Sequence, residues 1–148
     1  DYAFSSCHSL TKVNLSEGLE ILNNSVFFNC SELREIKLPS TLKEIGPRAF
    51  SGAALNNVVL PDSGKLTKID EYAFYQSREL TDITIPACIT SIPDNVFAEC
   101  SKEVTIHGAS GSYAQSYAKK NNLKFKADLA SSSKKATKAS GKAAEKAE

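Results

Sequence analysis

The sequence predicts a solenoid of short parallel strands, closed at its C-terminal end by a helix and a final strand. Three observations predict it. An Ala-Phe or Val-Phe pair recurs at Phe4, Phe27, Phe50, Phe74 and Phe97, with spacings of 23, 23, 24 and 23 residues. Each of the first four pairs is followed by an apolar triplet of the form L-x-x-[VI]-x-[LI]. Past Gly108 the repeat gives way to a short stretch of helical periodicity.

The triplets are Leu10, Val13, Leu15; Leu33, Ile36, Leu38; Leu55, Val58, Leu60; and Leu80, Ile83, Ile85. A period of two reads as a strand with one buried face, and the Phe segment between strands is too short for a full amphipathic helix. A second apolar pair follows in each unit: Leu19 with Leu22, Leu42 with Ile45, Leu66 with Ile69, Ile89 with Ile92. One unit cannot bury its own apolar side. Stacked in register at the strand spacing of about 4.8 Å, the units close a continuous core. Pro39, Pro61 and Pro86 directly follow the last strand residue, where a missing ladder N–H is tolerated, and so end the strands. The third unit is one residue short between Phe50 and Leu55 and two residues long between Leu60 and Leu66, slack that belongs in loops.

The fifth unit looks truncated, with a strand Val104-Thr105-Ile106 that ends at Ile106. Ser112-Tyr113-Ala114-Gln115 has the S-x-x-Q form of a capping box and should start a helix. Its apolar stripe is Tyr113, Ala114, Tyr117 and Ala118, with Lys119 and Lys120 in the last turn and Asn121-Asn122 as the stop. Leu123-Lys124-Phe125 reads as the final strand. From Ala127 the composition collapses to Ala, Lys and Ser, which cannot bury a core and reads as a disordered tail. The expected organisation is repeats over 1–106, a cap over 107–126 and a tail over 127–148.

Segments such as Ala49-Phe50, Leu33-x-x-Ile36-x-Leu38-Pro39 and Leu42-x-x-Ile45-Gly46 resemble the BspA-like class of leucine-rich repeats, over about residues 2 to 125. The resemblance implies a right-handed leucine-rich-repeat arc with a helix-strand terminal cap. It also implies a place in a larger cell-surface or secreted protein engaged in adhesion and in host or matrix binding. The partner varies within the family.

Composition excludes several other classes. The formal charge is +1, too small for a field that selects nucleic acid or an anionic membrane. The tail's lysines are interleaved with Ala, Glu145 and Glu148 and lack arginine or aromatic neighbours, which argues against a nucleic-acid arm. No apolar run approaches the roughly 18 residues of a membrane span, and the first residues do not read as a signal peptide. The chain contains no methionine and opens inside a repeat, so a piece of a longer protein is expected.

Cys7, Cys30 and Cys100 share one repeat position with Ala53 and Ser77, a place for a small buried residue. A Cys7–Cys30 bridge is conceivable at strand spacing, but in-register side chains point the same way, so free thiols are expected. Cys88, in a turn, is expected half-buried. His8 and His107 read as solvent-facing polar residues, the latter just past the strand ending at Ile106. No ligand spacing suits a metal, no cofactor is implied, and nothing nominates a nucleophile. The sequons at Asn14, Asn23 and Asn29 matter only in a chain secreted by a eukaryote.

What remains is surface. Residues flanking the buried strand positions form two outward rows, Lys12, Glu35, Asn57, Asp82 and Asn14, Lys37, Val59, Thr84. Together they are the expected partner-binding face of a non-catalytic protein-interaction or adhesion module, a monomer or part of a longer chain. The alternative is an accessory repeat segment of a larger enzyme, such as the targeting region of a secreted hydrolase. The face could equally be a solvated surface whose alternating charges only support the ladder.

Overall fold

The computed structural model describes residues 1–130. The chain winds as a parallel-strand solenoid. Outer strands β1 (Lys12–Asn14), β3 (Glu35–Lys37), β5 (Asn57–Val59) and β7 (Asp82–Thr84) come from the four triplets. The second apolar pairs supply β2 (Ile21–Leu22), β4 (Glu44–Ile45) and β6 (Lys68–Ile69). These make a ladder of their own, β2-β4-β6, not anticipated from the pairs alone. The chain then continues through β8 (Thr105–Ala109), α1 (Tyr113–Lys120) and β9 (Lys124–Leu129).

The predicted columns line the interior. Leu33, Leu55 and Leu80 are fully buried, and Leu10 packs against the same cluster from the half-open first rung. The five phenylalanine rings stack along the axis, with centroid separations of 5.5, 5.6, 5.2 and 5.6 Å and near-parallel planes. The turns around them are tight. Residues two before and two after Phe adopt left-handed backbone in most rungs, as at Ser25 and Asn29 or Tyr72 and Gln76, while Gly52 fills one such place. Left-handed non-glycine residues cost about 1–2 kcal/mol each. Bonds between rungs hold them, from Phe27 N–H to the Ala49 carbonyl at 2.8 Å and from Phe50 N–H to the Ala73 carbonyl at 2.8 Å.

The cysteine position proves to be more than a small-residue site. The Cys30 thiol donates to the Phe4 carbonyl at 3.0 Å, the Ser77 hydroxyl to Phe50 at 3.0 Å and the Cys100 thiol to Phe74 at 2.9 Å. Each ties its rung to the one before. All four cysteines are free, and burial pushes the Cys100 thiol up to about 11. Ala53 lacks the donor. Ala53→Ser should place a hydroxyl within reach of the Phe27 carbonyl and leave stability unchanged or raised by up to about 1 kcal/mol. A lowered melting temperature would show that the hydroxyl is buried without a partner.

Three expectations about the C-terminal region are corrected. The strand thought to stop at Ile106 runs on to Ala109, because it pairs on both sides, with β7 and β9. The tail thought to begin at Ala127 contributes Ala127, Asp128 and Leu129 to β9, where ladder bonds override composition; residues 131–148 lie outside the described residues. The capping box is displaced by one residue. The Gln115 side chain accepts from Gly111 N–H at 2.7 Å, while the Ser112 hydroxyl makes no capping bond.

The helix ends where Asn122 turns left-handed, with Leu123 N–H donating to the Ala118 carbonyl and Asn122 N–H to Lys119. Its aromatic stripe covers the last rung. The Tyr113 hydroxyl exchanges hydrogen bonds with the backbone of Ile92, and Tyr117 donates to the Pro93 carbonyl. These contacts stand where a further second-ladder strand would pair. A Cβ at Gly108 would lie 3.1 Å from Ala114 Cβ and 3.1 Å from the Phe125 ring, so glycine lets the cap close tightly on β8.

Candidate functional site

The outer strands turn their central residue inward, buried in β5 and β7 and half-buried in β1 and β3, and their two flanking side chains outward. Lys12 lies opposite Glu35 and Asn14 opposite Lys37; Asn57 lies opposite Asp82 and Val59 opposite Thr84. The rows expected to run unbroken do not. Among the described residues β3 and β5 share no ladder, although β4 and β6 of the same two rungs are paired.

The break falls where the third unit is one residue short between Phe50 and Leu55. One residue is about 3.3 Å of strand, enough to carry β5 out of hydrogen-bond reach of β3. The face opens there into a cleft of 530 Å³ bordered by Ile36, Leu38, Val59, Leu60, Pro86 and Leu129. A second opening, of 490 Å³, lies beside it between Arg34, Glu35, Asn57 and Val59. Val59 is 61% exposed, an apolar side chain in a row otherwise built of polar ones. The candidate face is therefore two laddered halves with an apolar seam between them.

The structure also lengthens both rows. Thr105 and Lys124 continue the row of Asp82, and His107 and Lys126 continue that of Thr84. His107 is not the freely solvated residue expected from the sequence. Its side chain is only 19% exposed, with Nε2 2.7 Å from Asp82 Oδ1 and Nδ1 2.6 Å from Asp128 Oδ2. The bond to Asp82, then that to Asp128, holds the imidazole above the ordinary histidine range. In return, the bond to His107 pulls both carboxyls below theirs. The signal for it in the sequence is Thr105-Ile106-His107, which repeats the outward-inward-outward pattern of the other outer strands and so extends the row through His107. His8 is exposed, 3.2 Å from the Ser31 hydroxyl.

Elsewhere the face carries the exposed pair Lys12–Glu35 at 2.9 Å, the kind of contact that contributes little to stability. Among the described residues no group of His, Cys, Asp or Glu side chains is arranged to hold a metal ion, and no helix is long and apolar enough to cross a membrane.

Comparison with known proteins places this geometry. The pneumococcal vaccine antigen PcpA matches with a TM-score of 0.67 at 21% identity, over 87% of this chain and 38% of that one. A leucine-rich cell surface protein from Faecalibacterium prausnitzii matches with a TM-score of 0.59 at 22% identity, over 80% and 36%. A T. pallidum leucine-rich repeat protein matches with a TM-score of 0.54 at 23% identity, over 88% and 78%. The chain thus spans well under half the length of the first two. No curated protein matches it. Residues 1–126 match the BspA type leucine-rich repeat region in six copies, so the chain belongs to the BspA-type leucine-rich repeat family.

Proposed function

We propose that the outer strand face is a protein-docking surface of a cell-surface or secreted protein and that this chain carries no catalysis of its own. The observation behind the reading is the face itself: two rows of outward side chains on a backbone whose turns and strands are bonded rung to rung. Such side chains lose little conformational freedom when a partner binds, so several rows can be read at low entropic cost. Solenoids of this kind recurrently use their extended strand surface for binding. The printed description of the Faecalibacterium prausnitzii structure as a cell surface protein supports the location, and the family supports the interaction role. Adhesion to a host or matrix protein is the finer form of the proposal.

The test is capture of matrix and host surface proteins by the wild-type chain and by a variant with Lys12, Glu35, Lys37 and Asp82 reversed in charge. A docking face predicts loss of the captured partner by about tenfold or more, since like-charge juxtaposition across an interface costs several kcal/mol. Equal capture by both would remove the strand face as the site.

A further inference from the structure

The His107 clasp joins three strands and has a property of its own. A neutral imidazole carries one N–H and one lone pair, so it can donate to only one carboxylate. Here both nitrogens sit at hydrogen-bonding distance from carboxylate oxygens. The doubly bonded arrangement belongs to the imidazolium. Removing its proton deletes one bond and sets a lone pair against a carboxylate oxygen.

The two carboxylates are not held equally. Asp82 also accepts from the Thr81 hydroxyl at 2.8 Å and sits on β7, which is paired on both sides. Among the described residues Asp128 has no other side-chain partner; it sits on β9, which pairs only with β8, at the register shift beside Gly108 and Ala109. Asp128 is the side that yields. The next residue, Leu129, borders the apolar cleft at the β3–β5 break together with Val59 and Pro86.

The other charged groups around the clasp leave this reading intact. From β9, Lys126 lies opposite His107 and its charge also favours both carboxylates, but it makes no hydrogen bond or ion pair with either, and Lys124 is tied to Glu103. From α1, which packs on β8 through Ala114, Lys120 is tied to Asp94 at 2.7 Å. From β7 only Asp82 faces the ring.

We propose that the Asp82–His107–Asp128 clasp is a proton-controlled fastening: with His107 charged, the end of β9 is held down and Leu129 covers the apolar cleft, and with His107 neutral that end lifts and the cleft opens toward Ile36 and Val59. The sign follows from linkage. His107 titrates above its unfolded value, so the fastening is complete below about pH 6.5 and is lost as pH rises through the elevated value. Asp82 and Asp128 titrate below theirs, so on the acid side it survives until pH falls below about 4.

Hydrogen exchange tests the fastening directly. Protection factors for Lys124–Leu129, corrected for intrinsic exchange, are compared at about pH 5.5 and about pH 9 in the wild type and in Asp128→Asn. The wild type should lose about two- to fivefold of its β9 protection at the higher pH, with β3 and β7 unchanged. Asp128→Asn should show the lower protection at both pH values while its Phe-column rungs keep theirs, which separates a loosened strand from a failed fold. Wild-type β9 protection that is the same at both pH values overturns the proposal, as does a full pH response surviving in Asp128→Asn.

Discussion

Phe50→Ala is expected to destabilise the solenoid by about 3–5 kcal/mol, a large share of the about 5–15 kcal/mol that holds an ordinary domain folded. The ring is fully buried between Phe27, 5.6 Å away and within 2° of parallel, and Phe74, 5.2 Å away. Two costs combine: lost transfer of the ring from water, and a cavity that the neighbours cannot fill. They cannot fill it because backbone bonds between successive rungs fix the spacing of the rings above and below. Urea unfolding measures the loss. Phe4→Ala is the internal control, since that residue is 48% exposed and its ring stacks on one side only. It should cost less than half as much. Equal losses at the two positions would mean that the stacked column is not the stabilising core. Because each rung touches only its neighbours, the Phe50 variant should also unfold less cooperatively, its two halves separating at the damaged rung.

Gly46→Ala should cost about 1–3 kcal/mol although it adds one methyl group and removes nothing. A Cβ there would stand 2.6 Å from the Leu22 carbonyl oxygen and 3.0 Å from the Asn23 carbonyl carbon, both backbone atoms. No rotamer change can relieve that contact. The same Leu22 oxygen accepts the Gly46 N–H at 2.7 Å, so relief means breaking the bond that fastens the second rung to the first. Thermal unfolding should show the loss, and hydrogen exchange should place it at Ile21–Leu22 and Glu44–Ile45 rather than in the outer strands. A variant as stable as the wild type would mean that the two rungs are not in the close register described. At Gly18, where a Cβ would meet nothing within 4 Å, the space itself poses no obstacle; only its left-handed backbone opposes a side chain.

The parts of this protein that could be read from sequence are those that repeat. A twenty-three-residue period of Phe, Leu and Ile determines that strands stack, which residues face inward, and which side chains, from Lys12 to Thr84, form the outward rows. It does so because burial of each apolar position requires an identical neighbour above or below. The repeat also identified the family, and the apolar stripe from Tyr113 to Ala118 announced the helix of the cap.

What depends on contacts distant in sequence was decided only by the tertiary structure. The start of the presumed tail belongs to β9 because β8 offers it unpaired backbone groups, which no composition of Ala127, Asp128 and Leu129 announces. His107 looked like an ordinary polar residue because its partners lie 25 positions before it and 21 after it, on strands that only stacking brings together. The opening between β3 and β5 was visible as a missing residue, but its consequence was not. Sequence spacing records how long a turn is; whether the strand that follows still meets its neighbour's hydrogen bonds is settled by three-dimensional register, where about 3 Å separates a ladder from a cleft.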